Sequence, residues 1–181
     1  MKNTLIVFAG LPGTGKTTLC KLIQKKVNCK FFDSDLYAKK KGFHKIFMGA
    51  RNEKEQRKLR EKFYGDKVNE IKRLLKTHKL VVFDAVFDRE KLRKKFYSMV
   101  DKVNARLIII KVIAPEKITL KRINADKKHF SRRPGEKPAG RILSYKIMKK
   151  DWEPIKRKHF IVDSTKNTDK QLTKILNQII N

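Results

Sequence analysis

The 181 residues carry 47 Lys+Arg against 18 Asp+Glu, a formal charge of +29, and 40% of them are apolar. That length and apolar share predict one domain with a real core. No apolar run approaches the ~20 residues of a membrane span, and Cys20 and Cys29 lack His or Cys neighbours at zinc spacing, which excludes a membrane helix and a metal cluster.

The opening Met1-Lys2-Asn3 runs straight into residues 4–9, a stretch too short for a signal-peptide apolar region and without a small-residue cleavage site. With two cysteines expected to stay reduced, a cytoplasmic location is predicted. Leu5-Ile6-Val7-Phe8-Ala9 is a continuous apolar run closed by Gly10, the pattern of a buried parallel strand. Leu19, Leu22, Ile23 and Val27 then recur at helical spacing. Phe31-Phe32 marks a second strand. Tyr64, Val68, Ile71 and Leu75 share one face of a helix predicted over residues 52–78.

Residues 80–83 read as a third strand closed by Asp84. A helix over 88–100 should turn Leu92, Phe96 and Met99 or Val100 inward. Residues 106–112 form the clearest strand, broken by Ala114-Pro115, with Pro115 suited to a first helical turn and the helix running to about Ile123. Residues 127–138 hold Arg132, Arg133, Pro134, Gly135 and Pro138 without apolar period and read as a mobile loop. A helix over 142–152, a strand at 160–162 ending at Asp163, and a helix from near Thr168 complete the chain. This β-α alternation predicts an α/β fold with a parallel sheet covered by helices on both faces. Ligands in such folds bind beyond the carboxyl ends of the strands, where Gly10, Asp33, Asp84 and Asp163 all fall.

Gly10-Leu11-Pro12-Gly13-Thr14-Gly15-Lys16-Thr17 matches G-x-x-x-x-G-K-[ST] at every fixed position, after a strand and at a helix start. Glycine permits the backbone angles that turn successive N–H groups inward around a phosphate. The helix adds its positive end. Lys16 should reach the β- and γ-phosphates of ATP, with GTP as the alternative. Thr17 should place its hydroxyl on Mg²⁺, and Thr18 extends the cradle toward the α-phosphate.

Phosphoryl transfer needs a carboxylate at the attacking hydroxyl. Asp33 and Asp35, where the second strand meets a helix, both qualify; Asp33 or Ser34 also suits a helix cap. Asp84, at the end of an apolar strand, is the expected partner of Mg²⁺. Residues 116–158 hold fifteen Lys/Arg against five Asp/Glu. Arginines brought over the γ-phosphate would offset transition-state charge, and Arg122 and Arg132 are the candidates, with Arg133 beside them and Arg141 beyond.

In these motifs the chain resembles the small P-loop kinases related to nucleoside-monophosphate kinases. The nearest likeness is to polynucleotide 5′-hydroxyl kinases, zeta toxins and seryl-tRNA(Sec) kinase domains. The shared segments are Gly10 to Thr18, Asp33-Ser34-Asp35-Leu36, Val81-Val82-Phe83-Asp84-Ala85 and Ile161-Val162-Asp163-Ser164-Thr165. The resemblance implies a three-layer α/β/α fold. Its five parallel strands would have the first at the centre, an arginine-rich lid would span about 115–145, and an acceptor segment about 36–64. It implies that Asp35 is the general base. The arginine that polynucleotide kinases carry three residues later is Ala38 here, followed by Lys39, Lys40 and Lys41.

The +29 charge is either a compositional lysine bias or a nucleic-acid surface. In the second case Lys39–Lys41, Arg57-Lys58 with Arg60, and Arg93-Lys94-Lys95 are the candidate patches. Tyr37, Phe43 or Phe47 could stack on bases, although Phe43 and Phe47, four apart, suit helix packing better. Three activities follow: transfer to a nucleotide or nucleic-acid hydroxyl, a small-metabolite kinase, or a nucleotide-dependent RNA-binding protein with slow hydrolysis.

Overall fold

The computed structural model describes residues 2–43, 52–126 and 138–180. Arg132, Arg133 and Phe47 lie outside the described residues, as do the middle of the expected lid and part of the acceptor segment. The described elements run β1 Thr4–Ala9, α1 Lys16–Lys26, β2 Lys30–Phe32, α2 Ser34–Lys40, α3 Glu53–Thr77, β3 Leu80–Ala85 and α4 Glu90–Lys102. They continue as β4 Arg106–Ile113, α5 Glu116–Ala125, α6 Pro138–Lys150, β5 Phe160–Asp163 and α7 Thr168–Ile180.

The sheet is wholly parallel, in the order β2-β3-β1-β4-β5, with β1 central as expected. Because side chains alternate across a strand, the apolar run of β1 feeds two cores. Leu5, Val7 and Ala9 pack with Ile71, Leu75, Leu92 and Phe96 of α3 and α4. Ile6 and Phe8 pack with Leu19 and Ile23 of α1 and Leu172 and Ile175 of α7. Leu5, Val7 and Phe8 are 0% exposed, and each such side chain stabilises the fold by about 1.5–3 kcal/mol. A strand buried on both faces must be apolar at every position, which is why β1 does not alternate.

Three of the boundaries that differ from expectation bear on the site. β3 continues past Asp84 to Ala85, because the first N–H of the phosphate loop, on Gly10, reaches the carbonyls of Ala85 and Val86 (3.3 and 3.2 Å). Helix α4 begins at Glu90 rather than Asp88. The turn before it bends through Phe87, whose left-handed backbone (φ 60°) is held by its N–H donating to Tyr64 Oη (3.1 Å). Helix α6 spans Pro138–Lys150, so Trp152 lies beyond it, against the guanidinium of Arg93 (5.9 Å from Cζ to the ring centre).

Candidate active site

The loop from Gly10 to Lys16 links the central strand to α1. Thr14 is buried and its Oγ1 donates to the Leu11 carbonyl (2.8 Å), which fixes the loop's curvature. Gly13 adopts φ +80°. A Cβ there would stand 2.8 Å from the Thr119 carbonyl and 2.8 Å from Ile123 Cγ1, so the loop is seated directly on α5. Gly15, at φ 95°, is the N-cap of α1; no side chain caps that helix and its first turn has no acid. Its leading amides are therefore left for an anion.

Three charged groups meet at this loop. Lys16 Nζ lies 2.9 Å from the Leu11 carbonyl. The Thr17 hydroxyl donates to Asp84 Oδ2 at 2.7 Å, joining α1 to β3. Burial lowers the pKa of the Lys16 ammonium, against the pull of Asp84 and then Asp35. Burial likewise raises the pKa of Asp84, against Lys16 and the Thr17 hydrogen bond, with the charges of Asp35 and Asp33 pushing it the same way. The charge of Asp35 is felt at both Lys16 and Asp84.

The two acids after β2 divide their work. Asp33 is the cap of α2, its Oδ1 accepting from the amides of Asp35 (3.0 Å) and Leu36 (2.9 Å). The Asp35 carboxylate is not the cap. Thr17 and Thr18 are exposed at the mouth of the loop.

Of the arginines, Arg122 leaves α5 toward the phosphate loop. Its Nη1 donates to Ser164 Oγ (2.8 Å) and its Nη2 to the Ser164 carbonyl (3.2 Å), and Nη1 lies 3.6 Å from where a Cβ on Gly15 would stand. Arg141, on α6, pairs with Asp126 at 2.8 Å, and its charge is felt at Lys16. Arg132, the other candidate from the sequence, lies outside the described residues, and Arg141 stands on the first turns of α6. Arg89 was missed altogether. It follows Asp84 by five residues, and its Nε and Nη2 are buried without an acceptor among the described residues, with Glu61 3.8 Å from Nη1.

Two of the proposed basic patches are partly interior. Arg60 is 8% exposed and Arg93 0%, because each is held by buried acceptors: Asp88 for Arg60, and backbone carbonyls for Arg93. Lys39, Lys40 and Lys41 are exposed as expected. Phe43 stacks on Phe63 (4.0 Å between ring centres), and Tyr37 stacks on the same ring (5.8 Å) with its own ring tilted against Phe32, so these rings pack with one another.

The sequence matches the AAA domain family over residues 6–144. The chain belongs to that family. The matched range of this AAA domain runs from β1 through the phosphate loop to α6. Its fold is that of solved P-loop kinases. The APS kinase CysC of Mycobacterium tuberculosis, in complex with AMPPNP and APS, superposes with a TM-score of 0.69 at 14% identity over 99% of both chains. A gluconokinase from Sinorhizobium meliloti 1021 gives 0.63 at 13%, covering 99% of this chain and 96% of its own. Shikimate kinase from Acinetobacter baumannii, in complex with shikimate, gives 0.58 at 17%, covering 99% and 93%. At these identities the likeness is one of fold. No curated protein matches the sequence. Among the described residues of this AAA domain, no helix is long and apolar enough to cross a membrane, and no group of three or more His, Cys, Asp or Glu could hold a metal. Cys20 and Cys29 are free thiols.

Proposed function

We propose that this protein is a kinase that transfers the γ-phosphate of ATP to a hydroxyl of a small, anionic acceptor. The observation that carries the reading is the 2.7 Å contact of Thr17 with Asp84, set beside Lys16 within the field of Asp35. A hydroxyl and one carboxylate are the hard oxygen donors that Mg²⁺ takes from protein when phosphates and water supply the rest. Thr17 and Asp84 therefore fit that ion, which when bound screens the charge of the phosphates. The amides of residues 12–16 and the Lys16 ammonium hold the phosphate chain. Asp35 orients the acceptor hydroxyl and takes its proton. Arg122 and Arg141, with Arg132 outside the described residues, offset charge as the phosphoryl group moves.

The acceptor class is read from the cationic groups on α3 and in the turn before α4. Arg89 offers two buried nitrogens without acceptors among the described residues. An open hollow of about 480 Å³ lined by Lys54, Arg57, Lys58 and Glu61 lies on the same helix as Arg89's neighbour Glu61. Both suit a carboxylate or phosphate on the acceptor. Ala38, where polynucleotide kinases carry arginine, is 3% exposed and faces the core, leaving no room for that side chain. APS kinase, gluconokinase and shikimate kinase share the fold over nearly their whole length and are named for small acceptors. The formal charge of +29 favours a second reading, transfer to a nucleic-acid 5′-hydroxyl of the kind suggested by the resemblance to polynucleotide kinases.

Incubation with γ-labelled ATP, Mg²⁺ and two acceptor sets separates the readings. Label on hydroxy acids, sugar acids or nucleoside monophosphates, and none on 5′-hydroxyl oligonucleotides, is the expected result. Label on the oligonucleotide alone moves the acceptor to nucleic acid. Inorganic phosphate released without transfer to either set overturns the kinase.

A further inference from the structure

We propose that Arg93 is a positioning residue for phosphoryl transfer: it locks the segment returning from α6 to the turn after β3, and so sets where Arg141 stands relative to Lys16. The inference rests on the kinase reading above.

Arg93 lies on α4 and is 0% exposed. An interior guanidinium is tolerated only when its donors are met, and here all five N–H groups are used. Nε donates to the Phe87 carbonyl (2.7 Å). Nη1 donates to Glu90 Oε2 (2.7 Å) and to the Pro154 carbonyl (2.7 Å). Nη2 donates to the Asp88 carbonyl (2.6 Å) and to the Glu153 carbonyl. Four of the five acceptors are backbone carbonyls, two on each of two segments 65 or more residues apart in the chain. The seam is closed further by the Glu153 amide on the Asp88 carbonyl (2.8 Å) and the Glu90 amide on Glu153 Oε2 (2.7 Å).

Each segment leads to the site. On one side, the turn held by Arg93 begins at Val86, whose carbonyl with that of Ala85 receives the Gly10 amide, and Asp84 precedes it by two residues. On the other, residues 151–154 follow α6 directly, and α6 carries Arg141. Packing alone would be served by an apolar side chain of this size. A planar fork that addresses carbonyls on two segments fixes their relative geometry, which a lysine ammonium, with three donors at one point, cannot do.

The test is a double-mutant cycle. Arg93→Lys, Arg141→Ala and the double variant are compared by melting temperature, by Mg·AMPPNP affinity in calorimetry, and by steady-state transfer from ATP to the best acceptor found. Arg93→Lys should still melt cooperatively and bind Mg·AMPPNP within about threefold, while kcat falls about 10- to 100-fold at little change in KM for ATP. With Arg141 already replaced, the same substitution should cost less than about threefold. Equal losses in both backgrounds, or an unchanged kcat, would overturn the inference while leaving the kinase standing. A wild-type protein without transfer sinks the kinase and this inference together. Should Arg93→Lys not fold, Pro154→Gly, which keeps Arg93 and loosens one segment it binds, goes through the same cycle and must show the same dependence on Arg141.

Discussion

Asp88 is wholly buried, and its Oδ2 stands 2.7 Å from Nη2 of Arg60. The pair bridges α3 to the turn after β3. Removing one member strands the other. Arg60→Met should destabilise the fold by about 3–5 kcal/mol in urea unfolding, because it leaves a carboxylate in the interior. Asp88→Asn should cost clearly less, since the amide keeps an acceptor for Arg60, whose side chain is 10% exposed. Equal costs for the two would show that the charge on Asp88 is not the buried liability.

Asp84 gives a pH-dependent prediction. Its pKa in the folded protein is raised above the ordinary 3.8, first by burial. A raised carboxyl means the folded state binds the proton more tightly than the unfolded one. Its contribution to stability is therefore present below 3.8 and is lost as pH rises through the folded value. Asp84→Asn should accordingly raise the melting temperature of nucleotide-free protein at neutral pH, with the gain vanishing toward pH 3.8. Lys16 holds Asp84 down. In Lys16→Met, carboxyl-detected NMR should find Asp84 titrating at higher pH than in the wild type.

Asp35 should matter to turnover and not to nucleotide binding. Asp35→Asn is expected to bind Mg·AMPPNP normally and to lose about 10²-fold or more in kcat. The cap of α2 is Asp33, so the fold should hold. Lys16→Ala should abolish transfer with the melting curve still cooperative. Normal turnover in Asp35→Asn would move the base elsewhere.

Two glycine substitutions should act in opposite directions. Gly13→Ala forces a left-handed residue and drives a Cβ to 2.8 Å from the Thr119 carbonyl, so Mg·AMPPNP binding should be lost. The backbone strain alone is about 1–2 kcal/mol. Gly65, inside α3, has nothing within 4 Å of a Cβ. Gly65→Ala should stabilise by about 0.5–1 kcal/mol and leave binding unchanged. Thermal melts and calorimetry of the two variants read both effects.

Much of this architecture was legible because local rules and the fold agree. The run Leu5 to Ala9 is apolar at every position, which only a doubly covered strand tolerates. The phosphate loop is a local motif whose glycines are demanded by backbone angles. Helix faces such as Tyr64, Ile71 and Leu75 followed from spacing alone. What stayed hidden depends on partners distant in sequence. Arg60 and Arg93 looked like surface charge, and their burial is set by Asp88 and by carbonyls at 153 and 154. Asp33 and Asp35 were indistinguishable until the cap geometry separated them. Arg141 acquires meaning only once α6 folds back toward Lys16.

The strand order has a further consequence for how the chain is made. β1 lies between β3 and β4, pairing Thr4 with Leu80 and with Arg106, so this central strand gains its second neighbour only after β4 has been made, far later in the chain. At ~5–20 residues per second, its oily face waits roughly ten seconds before the second flank is synthesised. Until then that stretch is open to off-pathway association.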